Sequence, residues 1–189
     1  MLKGEKRREQ ILAAAEEMFY QNGYERTTVS DIITALGLSK GGFYHHFESK
    51  EALLQAICDR KAEDSYAAAR RAVDDCPGSW ADKFNAMFDQ YGMWQSGNAD
   101  FMGLLIRVAY REDNLIMRDK LKRKSMGLML PLVEEIVKGG VAAQEFITPY
   151  PEGTGMLVLQ LGSSFSDSIA GLLLRGDAPP DTAGILSYL

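Results

Sequence analysis

The chain is poor in the residues that disulfides and metal sites need, with two cysteines and two histidines among 189 residues. Cys58 and Cys76 lie far apart, form no CxxC pair and are not backed by a histidine cluster, so neither a disulfide framework nor a zinc site is expected. His45 and His46 are adjacent, about 100° apart on a helix, and cannot converge on one metal. There is no glycine-rich phosphate loop, no HExxH, no GxSxG and no nucleophile paired with a base at a recognised spacing, which argues against an enzyme. No cofactor is implied. No stretch approaches the ~18 consecutive apolar residues of a membrane span, and the opening MLKGEKRREQ is too polar for a signal peptide. A cytoplasmic protein without a membrane partner is the expectation. No strand alternation persists and no internal repeat is visible.

What is present is ordinary for one or two globular domains: 46% hydrophobic and 25% charged residues, with a formal net charge of −5. The stretch that organises the chain is TTVSDIITALGLSKGGFYHHFESK, from Thr27 to Lys50. Thr28 and Asp31 have capping-box spacing, and Val29, Ile32, Ile33 and Leu36 then recur on one helical face. Gly37 falls where a left-handed residue ends that helix, and Ser39 is placed to cap a second one. Leu38 and Phe43 stand at the two staple positions around that cap. Two short helices joined through a glycine turn make a helix-turn-helix.

On the second helix, Phe43 and Phe47 share one side while Gly41 and His45 point away, flanked by Gly42 and Tyr44, with Lys40 at the border. Two successive glycines cost roughly 1 kcal/mol each in helix propensity, and their advantage is close approach. Small residues, a phenol, imidazoles and a lysine suit a helix pressed into a DNA major groove. On these residues alone, a short surface turn clamped by Phe43 and Phe47 explains the glycines equally well.

The longer stretch TTVSDIITALGLSKGGFYHHFESKEAL resembles the helix-turn-helix of the tetracycline-repressor (TetR/AcrR) type transcriptional regulators. The likeness rests on the threonine pair, the apolar helix, Leu38-Ser39-Lys40-Gly41, Phe43-Tyr44 and His45-His46-Phe47, and it extends from about Arg8 to Leu54. Gly42 stands where the family accepts many residues. Carried onto this sequence, the resemblance implies DNA contacts from Thr28, Ser39, Lys40, Gly41, Gly42, Tyr44, His45, His46 and Lys50. It further implies a ligand-responsive regulator, most often a repressor, that leaves a palindromic double-stranded operator when a small molecule binds. The other class left open is an all-helical carrier or enzyme in which the helix-turn-helix is only structural.

The rest of the chain reads as all-α, about nine helices in total. Residues 1–50 are expected to form a three-helix DNA-binding head, and 51–189 an effector-binding and dimerisation domain. Lys6–Asn22 forms the first helix, stopped by Gly23. A fourth helix, capped by Ser49, runs to about Asp75, ends at Cys76-Pro77-Gly78, and by resemblance is the lever of an allosteric switch. Helices follow over about 79–95, 100–111, 113–137 and 154–174, with a last short one from about Asp181 and a variable loop over 139–153.

An aromatic and methionine face suits a pocket for an apolar or aromatic effector, although such a stripe also fits plain core. Its candidates are Tyr66 on the fourth helix, Met87, Phe88, Tyr91 and Trp94 on the fifth, Phe101, Met102, Leu105 and Tyr110 on the sixth, and Met126 and Met129 on the seventh. Arg107, Tyr110 and Arg111 are placed either to hold an acidic group or to face solvent. Pro131 implies a kink that opens space beside a cavity. Leu157, Leu161, Phe165, Ile169 and Leu172, interspersed with small residues, suggest one half of an intersubunit four-helix bundle, with the monomer core as the alternative. The resemblance favours a homodimer, whose paired recognition helices about 34 Å apart would reach successive major grooves.

Overall fold

The computed structural model describes residues 3–111 and 114–175, and every regular element among them is helical. In chain order these are α1 (Lys3–Asn22), α2 (Val29–Ala35), α3 (Lys40–Tyr44), α4 (Lys50–Asp75), α5 (Trp80–Gly97), α6 (Ala99–Ala109), α7 (Leu115–Ala142) and α8 (Pro151–Arg175). The short helix expected from Asp181 lies outside the described residues.

Local chemistry accounts for the head. Gly23, at φ +84°, turns the chain out of α1, and buried Thr27 fixes the following loop by donating its hydroxyl to the Gly23 carbonyl at 2.9 Å. The Thr28 hydroxyl accepts from the Asp31 amide at 3.2 Å while the Asp31 carboxylate accepts from the Thr28 amide at 2.8 Å, a reciprocal cap. At the far end of α2, Gly37 adopts φ +60°, its amide donates to the Thr34 carbonyl at 3.2 Å, and the Leu38 amide donates to the Ile33 carbonyl at 3.0 Å. This is a Schellman motif, closed by the one residue type that takes the left-handed region without steric cost. The Ser39 hydroxyl then accepts from the Gly42 amide at 3.0 Å and starts α3.

Ile11, Leu12 and Phe19 of α1, Ile32 of α2 and Phe43 of α3 are buried together with Phe47 and with Leu53, Leu54 and Ile57 of α4. Phe101, Leu104 and Val108 of α6 complete the same core. The base of the head is therefore closed by a helix about half a chain away, a junction that local periodicity does not reveal. A second core joins Ala69 and Val73 of α4, Met87 of α5, and Leu132, Val133, Ile136 and Val137 of α7.

One sequence expectation is corrected. The α7–α8 connection is shorter than 139–153, because α7 continues through Gly139 and Gly140 to Ala142 and α8 begins at Pro151. Those glycines are packing positions: a Cβ would lie 2.3 Å from the Trp80 ring at residue 139 and 2.2 Å from the Phe146 ring at residue 140. Pro131 sits inside α7 on its exposed side and is not among the residues that line the cavity described below. Finally, α8 is long and apolar enough to cross a bilayer by length and mean hydropathy. It packs along α7 instead, and its Asp167 pairs with Lys122 of that helix.

Candidate nucleic-acid interface and ligand cavity

On α3, Phe43 and Phe47 are turned into the head core with ring centroids 6.2 Å apart, so the opposite side of the helix is what remains for solvent. Lys40, Gly41, Tyr44 and His45 are exposed there, and His46 is half-buried with its ring edge 5.0 Å from that of His45. Nothing lies within 4 Å of the place a Gly41 Cβ would occupy, so this glycine serves no internal packing need. Gly42 differs: a Cβ there would stand 3.1 Å from the Ser39 hydroxyl, against the cap. Thr28 and Ser39 are exposed, and their hydroxyls already serve as caps.

Lys50 is less available than its position in the sequence suggests. Its ammonium donates to the Tyr24 carbonyl at 2.9 Å and lies 4.2 Å over the Tyr24 ring, while the Tyr24 hydroxyl donates to Glu51 at 3.3 Å. It is half-buried and ties α4 to the α1–α2 loop. The head, residues 1–50, has seven basic and seven acidic side chains, so the whole net charge of −5 belongs to the remainder.

α4 is bound to the head by ions as well as by apolar contact. Arg60 pairs with Glu9 at 3.1 Å and with Glu16, and Lys61 pairs with Glu16 at 3.0 Å. Burial pushes the Glu16 pKa up, but hydrogen bonds from Tyr20 and Lys61 and the nearby Lys61 and Arg60 charges outweigh it, leaving it below the ordinary glutamate value. A depressed folded-state pKa contributes stability that is present above the unfolded value and lost as pH falls through the folded one. Melting temperatures measured from roughly pH 6 down to pH 3 should therefore fall more steeply for wild type than for Glu16→Gln. Parallel curves would show that the ion pairs contribute nothing to stability.

A cavity of about 250 Å³ lies among α4, α5, α6, α7 and α8. From α5 it is lined by Met87, Phe88, Tyr91 and Trp94, from α6 by Phe101, Met102 and Leu105, and from α7 by Met126 and Met129, with Tyr110 just beyond the end of α6. Tyr66 is absent from this wall and packs against the second core; its neighbour Ser65, about 100° round the helix, lines the cavity instead.

Of the polar groups of the wall, sequence reasoning named Tyr110 and missed Asp167, Lys122 and Arg118. The Tyr110 hydroxyl donates to Asp167 at 2.6 Å, Lys122 pairs with the same carboxylate, and the Arg118 guanidinium lies 5.0 Å over the Tyr110 ring. Burial and the hydrogen bond to Asp167 push the Tyr110 phenol well above its usual range. For Asp167, burial acts upward, yet Lys122 and Tyr110 hold its pKa below the ordinary value. An aspartate amid apolar and small residues on α8 was the sequence signal. Arg111 instead pairs with Glu25 at 3.0 Å, outside the cavity, and Arg107 is exposed.

α8 presents Leu157, Leu161 and Phe165 at 65%, 72% and 47% exposure. Ile169, expected in the same row, is buried against the cavity, and Leu172 is half-buried. The reason is geometric: four-residue steps advance about 40° each around a helix, so Ile169 stands about 120° away from Leu157.

A compact three-helix head with its second and third helices joined by a glycine turn, and with the face of the third left open, defines a helix-turn-helix protein. Residues 11–57 match the family described as "Bacterial regulatory proteins, tetR family", which is a match of the head alone. The HTH-type transcriptional regulator TtgR of Pseudomonas putida is 40% identical over 70 residues, which are 36% of this chain and 33% of TtgR. The matched stretch thus spans about a third of that curated relative's length. The fold likeness is longer. A putative TetR-family regulator from Syntrophomonas wolfei superposes with a TM-score of 0.71 at 16% identity, covering 98% of this chain and 93% of that one. FadR of Bacillus subtilis, solved in complex with stearoyl-CoA, gives 0.69 at 20% identity and covers 94% of this chain and 92% of its own.

Proposed function

We propose that this protein is a ligand-responsive transcriptional regulator, a repressor that leaves a palindromic operator when a small, largely apolar effector fills the cavity. Residues 1–50 act as the DNA-binding head and residues 51–189 as the effector-binding and dimerisation domain. The observation that carries the reading is α6. Phe101 belongs to the head core and also lines the cavity, while Met102 and Leu105 face the cavity and Leu104 and Val108 the head. A ligand that displaces the cavity side of α6 must repack the base of the head. α4, ion-paired to α1 and lining the cavity through Cys58 and Ser65, gives a second route. That a protein of the same fold was solved with stearoyl-CoA supports an organic effector. The protein works by binding, without turnover.

On this reading Lys40, Gly41, Tyr44 and His45 meet the duplex directly, while Lys50 acts chiefly by holding the head to α4. Thr28, Ser39, Gly42 and His46 border that surface. The exposed row Leu157, Leu161 and Phe165 packs against its counterpart in a second copy, pairing two heads for one operator.

Labelled genomic duplexes selected on the purified protein test the proposal by anisotropy with and without a cavity ligand. A change in affinity of about 5- to 150-fold is expected, the usual range for coupled sites. Equal affinity in both conditions would exclude the switch, and no selected duplex at all would exclude DNA binding. Lys40→Ala should weaken operator binding and lower the salt slope by about 0.9, the contribution of one neutralised phosphate. An unchanged slope would remove Lys40 from the contacts.

A further inference from the structure

Among the described residues, two buried polar atoms in the cavity wall have no hydrogen-bond partner: the Ser65 hydroxyl oxygen on α4 and the Gln95 carbonyl oxygen Oε1 on α5. Each residue is only 5% exposed, and both line the cavity. The Gln95 side chain also hydrogen-bonds Tyr91, whose pKa burial raises and this bond lowers.

A buried acceptor without a donor is costly, and most buried side-chain polar atoms in folded proteins are paired. A cavity built only to hold hydrocarbon would be expected to carry an apolar side chain at position 95. Among the charged groups in the wall, Asp167 is held by Lys122 and Tyr110, Lys124 pairs with Glu63 at 2.8 Å, Asp59 accepts from Gln55 at 2.9 Å, and the Arg118 guanidinium lies over the Tyr110 ring. The buried Gln95 Oε1 lacks a donor, and a hydroxyl, which donates and accepts, suits it together with Ser65.

Resting on the reading of this cavity as the effector site, we propose that its ligand is a neutral apolar molecule bearing a hydroxyl group, an alcohol or phenol, which donates to Gln95 Oε1 and takes Ser65 as its second partner. The apolar body lies against Phe88, Trp94, Met102 and Met129. Hydroxyl recognition then sets specificity, since an analogue lacking it leaves Gln95 unpaired while filling the same space.

The test uses 4-propylphenol and propylbenzene as matched probes on the full-length protein, read by quenching of tryptophan fluorescence, with Trp94 in the wall as reporter. Wild type should bind the phenol about 5- to 150-fold more tightly, the factor expected for leaving a buried polar atom unpaired. Gln95→Leu, close in volume and without polar atoms, should abolish the preference while keeping propylbenzene binding; Ser65→Ala should reduce it in part. Equal binding of the two probes to wild type, no binding of either, or a preference that survives in Gln95→Leu would each overturn the proposal. Operator affinity measured with each probe separates this from the regulatory reading. A selective phenol that leaves DNA binding unchanged supports the ligand class and sinks the switch. Unselective probes that both release DNA do the reverse.

Discussion

Gly41→Glu abolishes operator binding while the protein stays folded. The site of the missing Cβ is open, with no atom within 4 Å, and residue 41 is exposed on α3. Glutamate is a better helix former than glycine by about 0.5–1 kcal/mol, so the head should be no less stable. On the proposed reading the same change places two methylenes and a carboxylate on the face of α3 that meets the duplex. Like charges brought together at an interface cost several kcal/mol, and about 3 kcal/mol is already more than a hundredfold in affinity. Anisotropy with the selected operator, beside circular dichroism and thermal melting, separates the two effects. Operator affinity within about threefold of wild type would mean that α3 meets the duplex by another face or does not meet it.

Leu104→Ala should be among the most damaging single substitutions outside the head itself. Leu104 is 2% exposed, belongs to the head core despite lying on α6, and does not line the ligand cavity, although it borders a smaller pocket beside Tyr24 and Arg26, so truncation removes buried apolar contact from the base of the head. Such substitutions cost about 2–5 kcal/mol. For a chain of this size that lowers the melting temperature by about 4–20 °C. Leu105→Ala, one residue on and facing the existing cavity, should cost clearly less. Similar melting temperatures for the two variants would show that α6 is not clamped between head and body as its contacts indicate.

The parts of this architecture legible in the sequence are those decided within a few residues. The Thr28–Asp31 cap, the Gly37 stop and the inward pair Phe43 and Phe47 follow from backbone donors and helical period alone. The cavity wall was legible in kind, because methionine and aromatic residues cluster over α5 and α6, but not residue by residue. One position of helical phase separates Ser65, in the wall, from Tyr66, outside it. Ile169 fails for a related reason: a strict four-residue recurrence winds around a helix and does not stay on one face. The remaining differences are tertiary. Lys50 turns inward because Tyr24, from a loop 26 residues earlier, offers both a carbonyl and a ring. Gly139 and Gly140 look like loop residues until Trp80 and Phe146 are seen against them. Nothing in residues 101–108 says which of two apolar faces will support the head.

The separation of charge between a neutral head and an acidic body bears on how such a molecule searches a chromosome. A polyanion repels the larger part of the protein, so productive collisions are restricted to a narrow range of orientations. Loosely held, sequence-independent encounters should be brief, because few counterions are displaced in making them. On the proposed function, a regulator arranged in this way spends little time on irrelevant DNA and is, once freed by an effector, slow to be recaptured nearby.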